Sequence, residues 1–349
     1  MSALRRIVDV AVALLACLLA TALLRWLTPA PTGYGLGAKL RHLEGHADGF
    51  ELVFLGSSRV YRSFVPEVID AELAARGHAL RSFNLGVPGM GDFEADWLLR
   101  ELLALEPARL RYVVLEPGLF RPQLLTPGRF SPRELEWHTA RGTRAVLAAA
   151  GKSVAEAERD ELVRAHLEHW VRRTLNLGQG RRLLTALFRG DPDLDSHGLT
   201  ARVLSEDGGY LALEDSPGEE FARRRDAFLD DAAGHATRMA RLTARRGLRP
   251  ALDDYPLDLI EGQIAAVRAA GAEPVFVLPP ASQVRAVAFS LRDAGHLPEL
   301  LDFNAPQLYP ELFTHESRFD RNHLSRDAAR RFSALFAERF AGYLDARAE

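Results

Sequence analysis

Four short apolar runs, residues 51–55, 80–85, 112–115 and 274–278, constrain this chain more than any other feature. Each is bounded by turn residues and lacks helical period, so each reads as a buried strand. Helical patterns lie between them. Residues 66–76 open on a proline and close at Gly77, residues 92–105 follow the second run, and residues 257–270 close at Gly271. Strands joined through helices of that length need crossover connections, which predicts a mainly parallel sheet with helices on both faces. The expected fold is a three-layer α/β/α domain.

Residues 120–255 interrupt this alternation between the third and fourth strands. They are rich in Arg, Ala, Leu and Glu, with helical period at 154–175 and 219–246, and predict a mostly helical insertion without a repeating unit. Residues 178–180, 191–198 and 208–218 read as turns. Residues 325–347 form an amphipathic helix with Ala329, Phe332, Leu335, Phe336 and Phe340 on one side and Ser325 as N-cap.

The N-terminus carries a different signal. From Ile7 to Leu27 the chain is apolar except for Asp9, Thr21 and Arg25, long enough for a membrane-crossing helix. Arg5 and Arg6 before it place the N-terminus in the cytoplasm and the rest of the chain on the far side. Ala20-Thr21-Ala22 resembles a signal-peptide cleavage site, which is the competing reading, but apolar residues continue past it to Trp26 and Leu27. Leu14-Leu15-Ala16-Cys17 resembles a lipobox, yet the residues after Cys17 stay apolar. The expected organisation is an anchor at 1–28, a linker at 29–45 rich in proline and glycine, a first core segment at 46–119, the insertion at 120–255, and a second core segment at 256–349.

Composition removes several classes of function. The 349 residues are 47% hydrophobic, enough to bury a core. With 44 basic against 47 acidic residues there is no electrostatic footprint for nucleic acid. A single cysteine, Cys17, excludes an intrachain disulfide framework and any multi-cysteine metal centre, and no metal or cofactor is expected. His166 and His169 flank Glu168 at helical spacing, but with no third ligand evident they read as a solvated helix face. His315-Glu316 near His323 does not form a His-Glu-x-x-His zinc motif. Trp97, Trp137, Trp170 and Phe188 are candidates for a sugar platform, although aromatic residues at helical positions usually fill cores.

In an open parallel sheet, ligands bind beyond the carboxyl ends of the strands. The first strand leaves into Gly56-Ser57-Ser58-Arg59 and the second into Asn84-Leu85-Gly86-Val87-Pro88-Gly89. Asp320-Arg321-Asn322-His323 precedes the last helix. A serine hydroxyl becomes nucleophilic when an imidazole takes its proton and a carboxylate holds the other ring nitrogen. Ser58, His323 and Asp320 are the candidates for these roles. The developing oxyanion needs N–H donors, and the backbone of Ser58 and Gly89 is placed to supply them.

These residues, in this order, resemble the SGNH/GDSL-type hydrolases over about residues 50–118 and 272–345. The resemblance implies a flavodoxin-like α/β/α fold. It places the nucleophile at Ser58, with Ser57 where the family has aspartate, an oxyanion glycine at Gly89, and the closing Asp-x-x-His at Asp320 and His323. The family's third block, Gly-x-Asn-Asp, is replaced by Leu115-Glu116-Pro117-Gly118, so its oxyanion asparagine is missing. Asn84 is a candidate replacement, with a turn residue as the alternative. Arg59 is a candidate substrate-binding residue with Glu116, or the two form a salt bridge that orients the turn.

The Gly-Ser-Ser turn, the anchor and the missing asparagine are similar to the membrane-anchored branch that acylates cell envelopes, as in lipoteichoic-acid D-alanylation and alginate O-acetylation. That similarity implies a serine-dependent O-acyltransferase or esterase outside the cytoplasm, acting on an acylated glycan or lipid beside a membrane-bound O-acyltransferase. The alternative is a catalytically weak binding or scaffold subunit of such a complex.

Overall fold

A computed structural model describes residues 3–27, 33, 35–120, 130–189, 194 and 198–348. The chain divides into two compact units, residues 1–38 with 125–196, and residues 39–124 with 197–349. The strands are β1 (Leu52–Leu55), β2 (Ser82–Asn84), β3 (Tyr112–Leu115), β4 (Glu273–Leu278) and β5 (Leu300–Asp302). The helices are α1 (Ala3–Leu27), α2 (Leu36–His46), α3 (Ser58–Ser63), α4 (Pro66–Ala75), α5 (Asp92–Ala104), α6 (Pro132–Trp137), α7 (Ala140–Ser153) and α8 (Glu156–Thr174). They continue as α9 (Gly180–Arg189), α10 (Ala201–Ser205), α11 (Glu219–Leu229), α12 (Ala232–Arg245), α13 (Asp254–Ala269), α14 (Ala286–Asp293) and α15 (Arg326–Ala348).

All five strands lie in one parallel sheet in the order β2-β1-β3-β4-β5, with Val53 opposite both Phe83 and Val113, and Val114 opposite Val275. The chain steps outward from β1 to β2, then returns across β1 to β3. Right-handed crossovers put α3 and α4 on one face and α5, α13 and α14 on the other. The packing agrees, since α15 lies on α3 and α4 while α13 lies on α5. The face under α15 is an aromatic core in which Phe54 and Phe64 lie 4.6 Å apart, centroid to centroid, and Phe332 meets Phe64 edge-on at 4.9 Å. Ser333, buried in α15, accepts from the Val65 N–H at 2.9 Å and donates to the Ser63 carbonyl at 3.0 Å, clipping α15 to the α3–α4 junction. Along the outer side of β2, the Asn84 N–H donates to the Gly208 carbonyl at 2.8 Å.

The first unit contains α1, which includes a 23-residue stretch, Arg5–Leu27, whose most apolar 18-residue window has a mean hydropathy of 2.6, long and apolar enough to cross a membrane. The same unit holds α6 to α9.

Several expectations change. The expected linker at 29–45 is helical from Leu36, because Leu36 and Leu43 are buried on one side of α2. Residues 28–32 and 34 lie outside the described residues. The helix expected at 219–246 breaks at Asp231, which accepts from the Gly234 N–H and starts α12. Residues 120–255 are divided between the two units, 125–196 in the first and 120–124 with 197–255 in the second, and the elements described in that segment are all helices. The turn expected at 191–198 lies mostly outside the described residues. β5 is not expected from the sequence, because its Leu300-Leu301 pair stands between Glu299 and Asp302 and shows no apolar run such as the one that contains β2.

His166 and His169 are not a solvated face. They are buried in the first unit beside His138, whose Nε2 lies 2.9 Å from His166 Nδ1 and whose imidazole burial pushes down to about 3. α8 turns its imidazoles inward because Leu162 shares that side, while its charged residues point out. Among the described residues no group of three or more His, Cys, Asp or Glu side chains is arranged to hold a metal ion. Trp97 and Trp137 are buried, whereas Trp170 and Phe188 are exposed.

Candidate active site

The strand order reverses beside β1, so the exits of β1 and β3 are neighbours at the place where such sheets hold ligands. Ser57 caps α3, its Oγ accepting from the Arg59 N–H at 3.3 Å, and Ser58 opens the helix. Ser58 Oγ lies 2.8 Å from His323 Nε2. His323 Nδ1 lies 2.9 and 3.0 Å from the two oxygens of Asp320. Asp320 is acceptor-only when ionised, so it places the imidazole hydrogen on Nδ1 and leaves the Nε2 lone pair facing the serine hydroxyl.

The turn that carries this pair is held locally. Asp320 Oδ1 accepts the backbone N–H groups of Asn322 at 2.7 Å and His323 at 3.0 Å, and the Phe319 N–H donates to the His323 carbonyl at 3.0 Å. Arg318 and Leu324 close the turn as an antiparallel bridge. From α11, Arg224 pairs with Asp320 Oδ2 and stands 2.9 Å from His323 Nδ1. Burial first, and then the guanidinium groups of Arg224, Arg62, Arg318 and Arg59, hold the His323 imidazole well below its ordinary range. The ring is therefore neutral and basic over a wider pH span than a free imidazole.

Glu116 and Arg59 meet as an ion pair. Glu116 Oε2 accepts the Ser57 N–H at 2.7 Å, while Oε1 accepts Arg59 Nε at 2.7 Å and Arg285 Nη2 at 3.2 Å. One carboxylate leaving β3 thus holds the Ser57–Arg59 turn leaving β1. The β3 exit also makes room for a second acid. A Cβ at Gly118 would fall 1.3 Å from Asp92 Oδ1, so only glycine lets the Asp92 carboxyl lie there. Asp92 accepts the Phe120 N–H at 3.1 Å, and burial, reinforced by Glu116, raises its carboxyl to about 7.

Ser58, Gly89, Asp92, Glu116, Arg59 and Arg285 line one cavity of about 270 Å³. Gly89 has φ +65°, an open left-handed position at the rim. Asn84 does not reach this cavity. It is fully buried, and its Nδ2 donates to the carbonyls of Val60 at 2.9 Å and Phe64 at 2.8 Å while its Oδ1 accepts the Gly86 N–H at 2.9 Å. Both amide hydrogens are engaged, so Asn84 fastens α3 to the β2 exit and has none left for an oxyanion. The same exit is gripped by Lys39, which donates to the carbonyls of Asn84 and Gly86, each at 2.8 Å, with its ammonium 3.8 Å from the Tyr61 ring centre.

Of the expected site residues, the structure brings Ser58, His323 and Asp320 into one chain of contacts and places Gly89, Arg59 and Glu116 with Ser58 around one cavity. Asn84 stands apart from the cavity. Sequence reasoning missed Arg224, Arg285, Asp92 and Lys39. Lys39 alone had a signal, as one of two lysines in an arginine-rich chain. No protein-family model matches the chain, and no curated protein matches it.

Proposed function

We propose that the sheet-bearing unit is an SGNH-type serine esterase or O-acyltransferase acting outside the cytoplasm on acyl esters of a cell-envelope glycan or lipid. The observation that carries this reading is the continuous relay from Asp320 through His323 to Ser58 Oγ. In the reaction, His323 Nε2 takes the Ser58 proton as Oγ bonds to the acyl carbon. The oxyanion is met by the N–H groups of Ser58 and Gly89, and collapse expels the donor's oxygen, which takes the proton back from Nε2. A second hydroxyl, from glycan or water, then loses its proton to His323, attacks the acyl-serine, and restores the Ser58 O–H.

With the family's third-block asparagine replaced by Glu116 and the Asn84 amide fully engaged, this oxyanion site is one side-chain donor short. A missing donor slows every step that passes through the oxyanion, acylation, transfer and hydrolysis alike, on the order of a hundredfold to a thousandfold. The apolar α1 is read as the membrane anchor, with its N-terminus in the cytoplasm and a membrane-bound O-acyltransferase as partner. The same missing donor also supports a second reading, a scaffold subunit in which the relay is idle.

Fluorophosphonate labelling and p-nitrophenyl acetate turnover separate the two. In the full chain, Ser58→Ala is expected to abolish labelling and reduce turnover on the order of a millionfold. Unlabelled wild-type protein whose cellular role survives Ser58→Ala would establish the scaffold instead.

A further inference from the structure

Arg25 is the one basic residue between Ile7 and Leu27, and its surroundings account for it. Arg25 Nη2 pairs with Glu136 Oε2 of α6 at 2.7 Å, and Asn176, in the turn between α8 and α9, donates through Nδ2 to the Thr21 carbonyl at 3.4 Å. α9 itself packs on α1. Up to Ala20 the α1 side chains described are exposed, and only Thr21, Leu24 and Arg25 are half-buried. The exposed apolar stretch from Ile7 to Ala20 is about 21 Å long at about 1.5 Å per residue, whereas a bilayer core is about 30 Å thick. The remaining thickness has to come from Thr21 to Leu27, the part of α1 that holds Glu136 of α6 and Asn176 of the turn before α9.

α9 has the matching character. Leu183 and Ala186 are buried, while Leu184, Leu187 and Phe188 form an adjoining exposed apolar sector, Phe188 at 83% exposure; Arg182 lies exposed on the opposite side, and Arg181 is exposed at the border of the sector, two turns from Phe188, where its long side chain reaches past the apolar surface. Leu177 in the preceding turn and Trp26 at the end of α1 are exposed as well. A helix with leucine and phenylalanine on one flank and arginine at its border and opposite it is suited to the boundary between acyl chains and headgroups. An ion pair such as Arg25 with Glu136 is how a charge is tolerated at that depth.

We propose that α9 and the turn before it lie in the outer leaflet of the membrane, Leu177, Leu184, Leu187 and Phe188 facing acyl chains and Arg181 and Arg182 facing headgroup phosphates. This rests on the reading of α1 as a membrane anchor and extends it: the first unit is seated in the bilayer surface as well as tethered to it.

The test uses the full chain with Cys17→Ser, reconstituted in nanodiscs of phosphatidylethanolamine and phosphatidylglycerol. Single-cysteine variants Phe188→Cys, Leu184→Cys, Leu14→Cys and Arg223→Cys carry an environment-sensitive fluorophore. Nitroxide-labelled lipids report acyl-chain contact and aqueous iodide reports water. Leu14→Cys should be quenched most by a deep nitroxide. Phe188→Cys and Leu184→Cys should lose about half their emission to a shallow nitroxide and resist iodide, as expected for burial about 5–10 Å into the boundary. Arg223→Cys should respond to iodide alone. If Leu14→Cys is quenched by lipid while both α9 sites answer only to iodide, or to neither quencher because copies pair through this face, the seating of α9 is overturned and the anchor stands. If Leu14→Cys is untouched by lipid nitroxide, the anchor itself fails and the seating fails with it.

Discussion

At His323 two influences compete for the proton. Asp320 favours the imidazolium, while burial and the surrounding guanidinium groups oppose it, and the balance lowers the imidazole's proton affinity. The basic form therefore persists below the ordinary imidazole value of about 6.5. The acid limb of kcat/KM is expected below that value in a pH profile of p-nitrophenyl acetate turnover. Arg224 is half-exposed and reaches both Asp320 and Nδ1, so Arg224→Gln removes one opposing cation and moves the limb upward, by less than about one pH unit because solvent screens the charge. A limb that stays put or moves down would show that Arg224 acts only through the geometry of Asp320. This residue was illegible beforehand because an arginine on an amphipathic helix looks the same whether it faces water or a buried carboxylate. That Ser58 would meet His323 and Asp320 was legible, because the proposed chemistry asks for a serine at a strand exit and an imidazole held by a carboxylate, and Asp320 and His323 stand three residues apart before the last helix.

At the scale of elements, α15 is the largest single contributor to the core that holds the nucleophile turn. Phe336 lies 5.4 Å from Phe54 and 5.1 Å from Phe64, the rings that brace β1 and the segment after α3. Phe336→Ala should cost about 3–5 kcal/mol in urea unfolding, with Ser58 labelling lost only as the protein unfolds. α15 and strands β1 to β4 were readable from apolar runs and turn residues, because burial imposes a regular pattern. β5 and α2 were harder to see, one lacking such an apolar run and the other standing directly after a proline- and glycine-rich stretch. The pair α11 and α12 was read as one helix because the aspartates that break it suit a solvated surface equally well.

At the scale of the whole molecule, buried acids shape the response to pH. Asp92 sits at about 7 and Asp70 at about 6, both raised chiefly by burial above their unfolded values near 4. The folded state therefore holds protons that the unfolded state has released. Their contribution is full below about pH 4 and is lost as pH rises through 6 and 7. Asp92→Asn is expected to flatten this decline, narrowing the fall in thermal midpoint between pH 5 and pH 8; an unchanged slope would show that Asp92 is not raised. Copies of the chain at high concentration face another hazard, since a parallel sheet has two open edges and each is a template for a neighbour's strand. Here both edge strands, β2 and β5, are three residues long. Gly208 already occupies the Asn84 N–H, and a Cβ at Gly209 would fall 2.6 Å from the Asn84 carbonyl oxygen. The molecule thus spends a glycine pair of its own on the place where a second copy would otherwise add a strand, and high local density need not turn into fibrils.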